Sequence, residues 1–185
     1  MGLLELLFGE GEGVPETPER PAPLALDTRP FIVYAPVTGT TMPMADIPDP
    51  IFASGAMGHV VGIKPQDSTV YAPLTGTITV SSGTLHAVGL RSDDGMEVLI
   101  HLGVDTVSML GEGFVGYMSQ GERVSAGDAL ITMDLDRIAA AGHSDVVIMA
   151  LTNSAEFEVS DVLAHDGMQV AAGEKLMVCK PRVER

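Results

Sequence analysis

Two short sequence units occur twice in this chain, and every copy ends in glycine. Residues 34–39 (Tyr-Ala-Pro-Val-Thr-Gly) return as residues 71–76 (Tyr-Ala-Pro-Leu-Thr-Gly), and residues 121–127 (Gly-Glu-Arg-Val-Ser-Ala-Gly) return as residues 167–173 (Gly-Met-Gln-Val-Ala-Ala-Gly). Glycine adopts the positive φ angles of tight turns without steric cost, so both copies of the second unit predict a turn followed by a strand. Repetition of such units predicts an all-β fold, an antiparallel β-sandwich with internal quasi-symmetry.

Short apolar runs separated by turn signals extend from Phe31 almost to the end of the chain. The 21 glycines and 12 prolines also favour many short strands joined by turns. We expect one or two short helices, one of them with Asp136 as its N-cap, residues 137–141 as its body and Gly142 at its end. The predicted strands cover residues 31–35, 60–64, 77–81, 85–91, 96–102, 129–134, 145–151 and 175–180.

Residues 1–30 differ in composition from the rest of the chain. Residues 11–30 are rich in Glu, Pro and Gly, which is typical of a flexible linker. Residues 1–10 are mainly apolar and suit either a frayed terminus or a weak interfacial membrane anchor, although they lack the cations that attract anionic lipid. We predict a flexible N-terminal tail and linker at residues 1–30 and one domain at residues 31–181.

Charge and cysteine content narrow the classes of partner and the compartment. The formal net charge is −15, which disfavours binding to nucleic acid and suits partners with basic patches. The one cysteine, Cys179, excludes an intramolecular disulfide and is predicted to be a small buried core residue. No apolar run approaches the roughly 18–20 residues that cross a bilayer. We therefore expect a cytoplasmic protein, with peripheral contact to the inner face of the membrane through residues 1–10.

Two of the five histidines, His86 and His101, lie in strands that a turn can bring together. The intervening Ser-Asp-Asp-Gly at residues 92–95 is a strong turn signal, and folding the strands about it places His86 opposite His101. Residues facing each other across an antiparallel pair have Cβ atoms about 4.5–5.5 Å apart. On the second strand the two-residue period puts Glu97 and Leu99 on the same face as His101.

Such a pair of imidazoles suits phosphoryl transfer or metal binding. A neutral imidazole nitrogen is a nucleophile near neutral pH, and a second imidazole can donate a hydrogen bond to phosphoryl oxygens. Thr84 lies two residues before His86 on the same strand face, where its hydroxyl can fix the tautomer of that ring. The alternative is that either histidine simply packs at a sheet surface.

Several segments resemble the glucose-type IIA component of the bacterial sugar phosphotransferase system. The signature segments are Leu85-His86-Ala87, residues 92–107 and residues 111–114. Residues 61–65, 71–76 and 121–134 match the same family in order, so that the resemblance covers about residues 31–180. It implies a phosphotransferase component with an antiparallel β-sandwich fold that requires no cofactor.

The resemblance also implies roles for individual residues. His101 would accept a phosphoryl group from the phosphohistidine of HPr, and His86 would stabilise that group and assist its transfer to a cysteine of a IIB domain of a sugar permease. Thr84 would support His86. The two histidines would also hold a zinc ion in some regulatory complexes, with transporters or kinases as regulated partners.

A docking face for HPr is implied around these histidines. Its acidic rim would consist of Asp49, Glu97 and Asp105, since charge complementarity orients such encounters. Its apolar part would consist of Phe52, Leu99 and Val104.

Other functions remain open but fit less well. A regulatory or zinc-binding β-sandwich protein without phosphoryl transfer is the main alternative. A biotinyl or lipoyl carrier would need a lysine between the repeats, and Lys64, Lys175 and Lys180 lie elsewhere. A zinc hydrolase of the quasi-symmetric β type would need a His-x-His pair, which the sequence does not contain. The remaining histidines are interpreted as loop or surface residues: His59, His143 and His165.

Overall fold

The computed structural model of the chain describes residues 18–163 and 165–182. Strands dominate these residues, as the turn-rich sequence predicts. In chain order they are β1 (Ile32–Tyr34), β2 (Gly39–Met42), β3 (His59–Pro65), β4 (Thr69–Tyr71), β5 (Gly76–Ser81), β6 (Ala87–Ser92), β7 (Glu97–Val104), β8 (Phe114–Gly116), β9 (Arg123–Val124), β10 (Ala129–Met133), β11 (Ser144–Leu151), β12 (Phe157–Val162), β13 (Gln169–Val170) and β14 (Lys175–Pro181).

The strands form three antiparallel sheets. The largest has eight strands in the order β13-β2-β3-β11-β7-β6-β5-β9, and two three-stranded sheets have the orders β1-β14-β12 and β4-β10-β8. Each of the eight predicted strands is present with shifted ends. The prediction missed β2, β4, β8, β9, β12 and β13, most of which are only two to four residues long. The all-β sandwich class is confirmed.

The repeated sequence units occupy matching places in the fold. Residues 34–39 join the end of β1 to the start of β2, and residues 71–76 join the end of β4 to the start of β5. In the second pair of units, a two-residue strand leads through a turn into a longer strand, from β9 to β10 and from β13 to β14. The glycines of these turns, Gly127 and Gly173, have φ angles of 90° and 84°. Sequence repetition therefore corresponds to repeated strand–turn geometry.

Two short α-helices are present in the described residues, α1 (Pro50–Ala53) and α2 (Leu135–Ala140). The predicted N-cap of α2 at Asp136 is wrong, because the side chain of Asp134 accepts the hydrogen bond from the backbone N–H of Arg137 at 3.0 Å. The helix consequently begins two residues earlier than predicted. Gly142 follows its C-cap with a φ of 80°, which agrees with a glycine at the helix end.

The large sheet buries apolar side chains on both faces. Alternation along β7 sends Val98 and Ile100 into the main core between the sheets, where Cys179 is also buried. The opposite face is covered by a smaller cluster of apolar residues. That cluster consists of Ile47, Phe52, Val60, Val104, Val146, Ile148 and Ala150, with Leu99 packed against it. The smaller cluster lies on the face of β7 that also presents His101.

Residues 20–29 lie against the sandwich. The N–H of Leu24 donates to the carbonyl oxygen of Gly127 at 2.9 Å, and Nε of Arg20 donates to that of Ala129 at 3.1 Å. The hydroxyl of Tyr34 donates to the carbonyl oxygen of Asp27 at 3.1 Å. The predicted membrane contact through residues 1–10 falls outside the described residues. Within the described residues, no helix is long and apolar enough to span a membrane.

Candidate active site

The β6–β7 hairpin presents the two candidate histidines, but its register differs by one residue from the prediction. Ala87 pairs with His101, and Arg91 pairs with Glu97. The N–H of Ser92 donates to the carbonyl oxygen of Met96 at 2.8 Å, and Gly95 has a φ of 89°. The loop therefore contains residues 93–95, one residue more than a register with His86 opposite His101 would allow. Ala87, not His86, is therefore opposite His101.

His86 reaches His101 because it lies in an irregular loop before β6. Leu85 has a φ of 57°, so the backbone turns there and β6 begins only at Ala87. The carbonyl oxygen of His86 still accepts from the N–H of Leu102 at 2.8 Å, which ties the loop to β7. The ring centroids of His86 and His101 are 5.3 Å apart and the rings meet nearly edge to face.

The tautomer of His101 is fixed by the backbone. Nδ1 of His101 lies 2.7 Å from the carbonyl oxygen of Gly103. A carbonyl oxygen only accepts hydrogen bonds, so Nδ1 must be the protonated nitrogen. Nε2 therefore holds the free lone pair of the neutral ring. The ring of Phe52 packs 5.3 Å away, centroid to centroid, and limits the movement of the imidazole.

Both imidazoles favour the neutral form. Burial lowers the pKa of His101 below its ordinary value of 6.5, although the hydrogen bond with Gly103 and the carboxylates of Asp49 and Asp105 raise it in part. Burial, and then the proximity of His101, lowers the pKa of His86 from the same value. At neutral pH both rings are therefore mainly uncharged, and Nε2 of His101 has an available lone pair beside the neutral ring of His86.

Two hydroxyls converge on the ring of His86. Oγ1 of Thr84 lies 2.6 Å from Nδ1 of His86, in agreement with the predicted contact. Oγ of Ser82 lies 3.3 Å from the same nitrogen. Sequence reasoning missed Ser82. Serine is common in loops, which is the only signal for this residue. The contact itself depends on the left-handed backbone conformation of Leu85, which the sequence does not predict.

Two of the three residues of the predicted acidic rim lie at the start of short helical segments. Oδ1 of Asp49 accepts from the N–H of Ile51 at 2.8 Å and so caps α1. Asp105 is exposed, with a φ of 61°, and precedes a 3₁₀ turn at Thr106–Met109. Glu97 lies 3.9 Å from Nε of Arg91 across the hairpin. The Asp49 carboxylate is thus held by its cap hydrogen bond, and the carboxylates of Asp49 and Asp105 both raise the pKa of His101.

The predicted apolar docking residues differ in exposure. Phe52 and Val104 are buried at 5% and 8% exposure, and Leu99 is partly exposed. Ile51 and Val107, which sequence reasoning did not name, are 59% and 50% exposed. Ile51 directly follows Asp-Pro at the start of α1. Val107 lies two residues after Asp105, whose backbone is left-handed. An Asp-Pro pair is a helix-start signal that could have predicted α1.

The other histidines have separate surroundings. Nε2 of His143 lies 2.9 Å from Oγ of Ser108, and His165 is exposed. His59 begins β3 rather than lying in a loop, and burial lowers its pKa. Among the residues described, no three His, Cys, Asp or Glu side chains are grouped so that they could hold a metal ion.

Comparisons with known proteins agree with this geometry. The family profile described as "phosphoenolpyruvate-dependent sugar phosphotransferase system, EIIA 1" matches residues 31–157. The chain is 39% identical to the glucose-specific EIIA component of Halalkalibacterium halodurans over 147 residues, covering 80% of this chain and 84% of that protein. It is 41% identical to a glucose-specific EIICBA component of Staphylococcus saprophyticus over 128 residues, covering 69% of this chain but only 19% of that protein.

A solved structure matches the fold as well. Glucose permease IIA from Mycoplasma capricolum superposes with a TM-score of 0.73 at 29% identity, covering 84% of this chain and 99% of that one. The family match, together with the antiparallel β-sandwich and its two adjacent imidazoles, identifies the class of protein, the phosphohistidine carriers. Within that class, the chain belongs to the EIIA type 1 family of the phosphoenolpyruvate-dependent sugar phosphotransferase system. It is a phosphotransferase component of sugar transport.

Proposed function

We propose that Nε2 of His101 accepts a phosphoryl group from the phosphohistidine of HPr and passes it to a cysteine of a IIB domain of a sugar permease. The main support is the contact between Nδ1 of His101 and the carbonyl oxygen of Gly103, because it leaves Nε2 with the free lone pair. The lowered pKa of His101 also keeps that lone pair available at neutral pH.

The two transfer steps balance without any cofactor. In the first, the Nε2 lone pair of His101 bonds to phosphorus while the P–N bond of the donor breaks and its electron pair returns to the donor imidazole. In the second, a cysteine thiolate of the acceptor bonds to phosphorus. The P–N bond to His101 then breaks, and its electron pair returns to Nε2. The protein contributes mainly positioning and electrostatic stabilisation, as is usual for phosphoryl transfer.

His86 is the group that stabilises the transferring phosphoryl group. Its ring lies 5.3 Å from that of His101, centroid to centroid, and we infer that a hydrogen on its Nε2 meets an oxygen of a phosphoryl group carried by His101. A donor already in place costs no reorganisation when charge shifts among the phosphoryl oxygens. Thr84, at 2.6 Å from Nδ1 of His86, is a positioning residue for this ring.

The surface around the histidine pair suits a basic partner such as HPr. Asp49, Glu97 and Asp105 supply the acidic rim, and the net charge of −15 attracts a basic protein over a longer distance. The exposed Ile51 and Val107 supply apolar contact area. In this arrangement Phe52, Leu99 and Val104 support the face from below, since they belong to or pack against the smaller apolar cluster.

The acceptor and the compartment follow from the same assignment. The Staphylococcus saprophyticus relative has C, B and A in its component name, which supports a IIB domain as the acceptor. We assign the protein to the cytoplasm, with residues 1–10 as a weak contact to the inner face of the membrane. Nucleic acid is not a partner in this proposal, because its phosphates would be repelled by so acidic a protein.

Regulatory zinc binding is a second and finer proposal. His86 and His101 would provide two nitrogen ligands, and a partner transporter or kinase would have to provide more, since zinc in proteins takes four ligands. Such a complex would compete with phosphoryl transfer, because it engages the same two rings.

The proposal is tested by intact mass after incubation with enzyme I, HPr and phosphoenolpyruvate. We expect the parent protein to gain one acid-labile phosphoryl group and His101→Gln to gain none. His143→Gln is the matched control, since it changes a histidine outside the pair, and it should still gain the group. A parent protein that gains nothing from charged HPr would favour a regulatory or zinc-binding protein instead.

A further inference from the structure

Ser82 is hydrogen-bonded to the backbone of the residues before and after His86. The N–H of Ser82 donates to the carbonyl oxygen of Ala87 at 3.1 Å, and the N–H of Leu85 donates to the carbonyl oxygen of Ser82 at 2.9 Å. In addition, the N–H of Ala87 donates to Oγ of Ser82 at 3.1 Å. Ser82 thus contacts the backbone on both sides of His86 as well as the histidine ring.

These contacts favour one direction for the hydrogen bond between the Ser82 hydroxyl and His86. The hydrogen bond from Ala87 occupies one of the two lone pairs of its oxygen, and the hydroxyl proton still needs an acceptor. Among the described residues, Nδ1 of His86, at 3.3 Å, is the one acceptor within hydrogen-bond distance of this hydroxyl, so donation to it satisfies the proton. A nitrogen that accepts from a hydroxyl carries no hydrogen, and the ring hydrogen of the neutral imidazole must then be on Nε2.

Thr84 alone does not decide this tautomer. Its hydroxyl lies 2.6 Å from Nδ1 of His86, but a hydroxyl can either donate to that nitrogen or accept from it. If Nδ1 donated to Thr84, Nε2 would have a lone pair and could not donate to a phosphoryl oxygen. The additional donor from Ser82 favours the tautomer in which Nδ1 accepts.

We propose that Ser82 is a second positioning residue for His86, whose hydroxyl keeps Nδ1 as an acceptor and thereby places the ring hydrogen on Nε2, towards the phosphoryl group. This inference rests on the proposed role of His86 in phosphoryl transfer. Ser82 acts through the His86 ring and need not touch the phosphoryl group. Its effect therefore falls on the step in which His86 assists, the onward transfer from His101.

The direct test is ¹⁵N NMR of the imidazole nitrogens in the full-length, ¹⁵N-histidine-labelled protein. We expect the parent spectrum to show His86 with a protonated Nε2 and an unprotonated Nδ1. In Ser82→Ala the population with hydrogen on Nδ1 should increase, and Ser82→Thr should restore the parent pattern. If Ser82 only stabilised the loop, its substitution would not change the ¹⁵N pattern of His86, because stabilising the loop does not select a tautomer.

The kinetic test separates the two half-reactions. Ser82→Ala should accept the phosphoryl group from HPr at the parent rate but transfer it onward about three- to tenfold more slowly, the effect of one neutral hydrogen bond. Ser160→Ala removes a hydroxyl from β12 that donates to Val178 and is the matched control, with no expected change.

Two results would overturn the role of Ser82. One is a parent spectrum with the hydrogen of His86 on Nδ1, which can be read even if Ser82→Ala does not fold. The other is a Ser82→Ala protein with unchanged His86 nitrogens and unchanged onward transfer. If the parent protein fails to accept a phosphoryl group at all, the proposed function is wrong. The tautomer measurement still tests whether Ser82 sets the tautomer of His86.

Discussion

The carbonyl oxygen of Gly103 lies 2.7 Å from Nδ1 of His101, two residues away along β7, and this contact leaves the free lone pair of the neutral ring on Nε2. Gly103 has a φ of 77°. A Cβ added there would overlap Thr106 and lie 2.7 Å from the carbonyl oxygen of Ser144. The hydrogen bond that orients His101 thus depends on a position where the packing requires glycine.

Gly103→Ala should therefore weaken both the fold and phosphoryl acceptance. We expect the free energy of unfolding to fall by about 1–3 kcal/mol, from the strained backbone and the overlap with Thr106. Acceptance should slow as well, because the carbonyl that orients His101 must shift. Urea unfolding and the rate of acceptance from HPr measure the two effects.

Gly167→Ala is the control for that substitution. Gly167 has the same φ of 77°, but an added Cβ would meet no atom within 4 Å. It should lose stability only through backbone strain and keep its acceptance rate. Equal acceptance by both alanine variants would mean that the Gly103 carbonyl does not orient His101.

His86→Gln should separate acceptance from donation. His101 keeps its lone pair in this variant, so acceptance from HPr should continue. Onward transfer to the IIB cysteine should slow by about 10²- to 10³-fold, the usual effect of losing a preorganised hydrogen-bond donor. Quenched-flow measurement of each half-reaction provides the test, and an equal loss of both steps would contradict the separate roles of the two histidines.

The pH dependence should follow the lowered pKa values of the histidine pair. Because burial lowers the pKa of both His86 and His101 from 6.5, each ring should be more than half neutral at pH 6.5, and acceptance should decline as the pH falls through the lowered pKa of His101. The same shifts affect stability. Below pH 6.5 the unfolded chain binds protons at these imidazoles that the folded chain does not, so the free energy of unfolding should decrease as the pH falls.

Asp105→Asn tests the electrostatic part of that account. The Asp105 carboxylate raises the pKa of His101, so its removal should lower that pKa further, and asparagine tolerates the left-handed backbone at this position. NMR titration of the His101 ring provides the measurement. Asp136→Asn, on the exposed surface of α2, is the charge-matched control. A higher His101 pKa in Asp105→Asn would refute the assigned sign.

Ile51→Ser should weaken docking of HPr without changing the chemistry. The side chain is 59% exposed and adjoins Phe52, whose ring packs against that of His101, and the smaller residue would remove apolar contact area. We expect kcat/KM for phosphoryl acceptance to fall by about fivefold, mainly through KM. Met168→Ser is the control, since Met168 is also exposed but precedes β13, four strands from β7 in the large sheet. An equal effect of both substitutions would exclude a specific contribution of Ile51.

The long strands were predictable because their apolar residues follow the pleat. Alternation along residues 97–101 is enough to assign His101 to one face of β7 and Ile100 to the core. The short strands give too few positions for such a pattern; β9 and β13 have only two residues each. They are held in the sheet mainly by their neighbours, which the sequence does not identify.

The pairing of the two histidines was predictable in part. The turn signal at residues 92–95 correctly brought β6 and β7 together, but a left-handed Gly95 moved the register by one residue. A one-residue shift should have placed His86 on the other face of the sheet. The rings still meet because the backbone turns at Leu85, and the sequence predicts neither that turn nor the position of the Ser82 hydroxyl beside the His86 ring.

The central claim is that Nε2 of His101 accepts the phosphoryl group, and NMR can locate the group by atom. The ¹⁵N-histidine-labelled protein would be phosphorylated by enzyme I, HPr and phosphoenolpyruvate, and the coupling between phosphorus and nitrogen would be recorded. We predict coupling to Nε2 of His101, with Nδ1 of that ring still protonated against Gly103. Coupling to Nδ1 of His101, or to a nitrogen of any other histidine, would contradict the account.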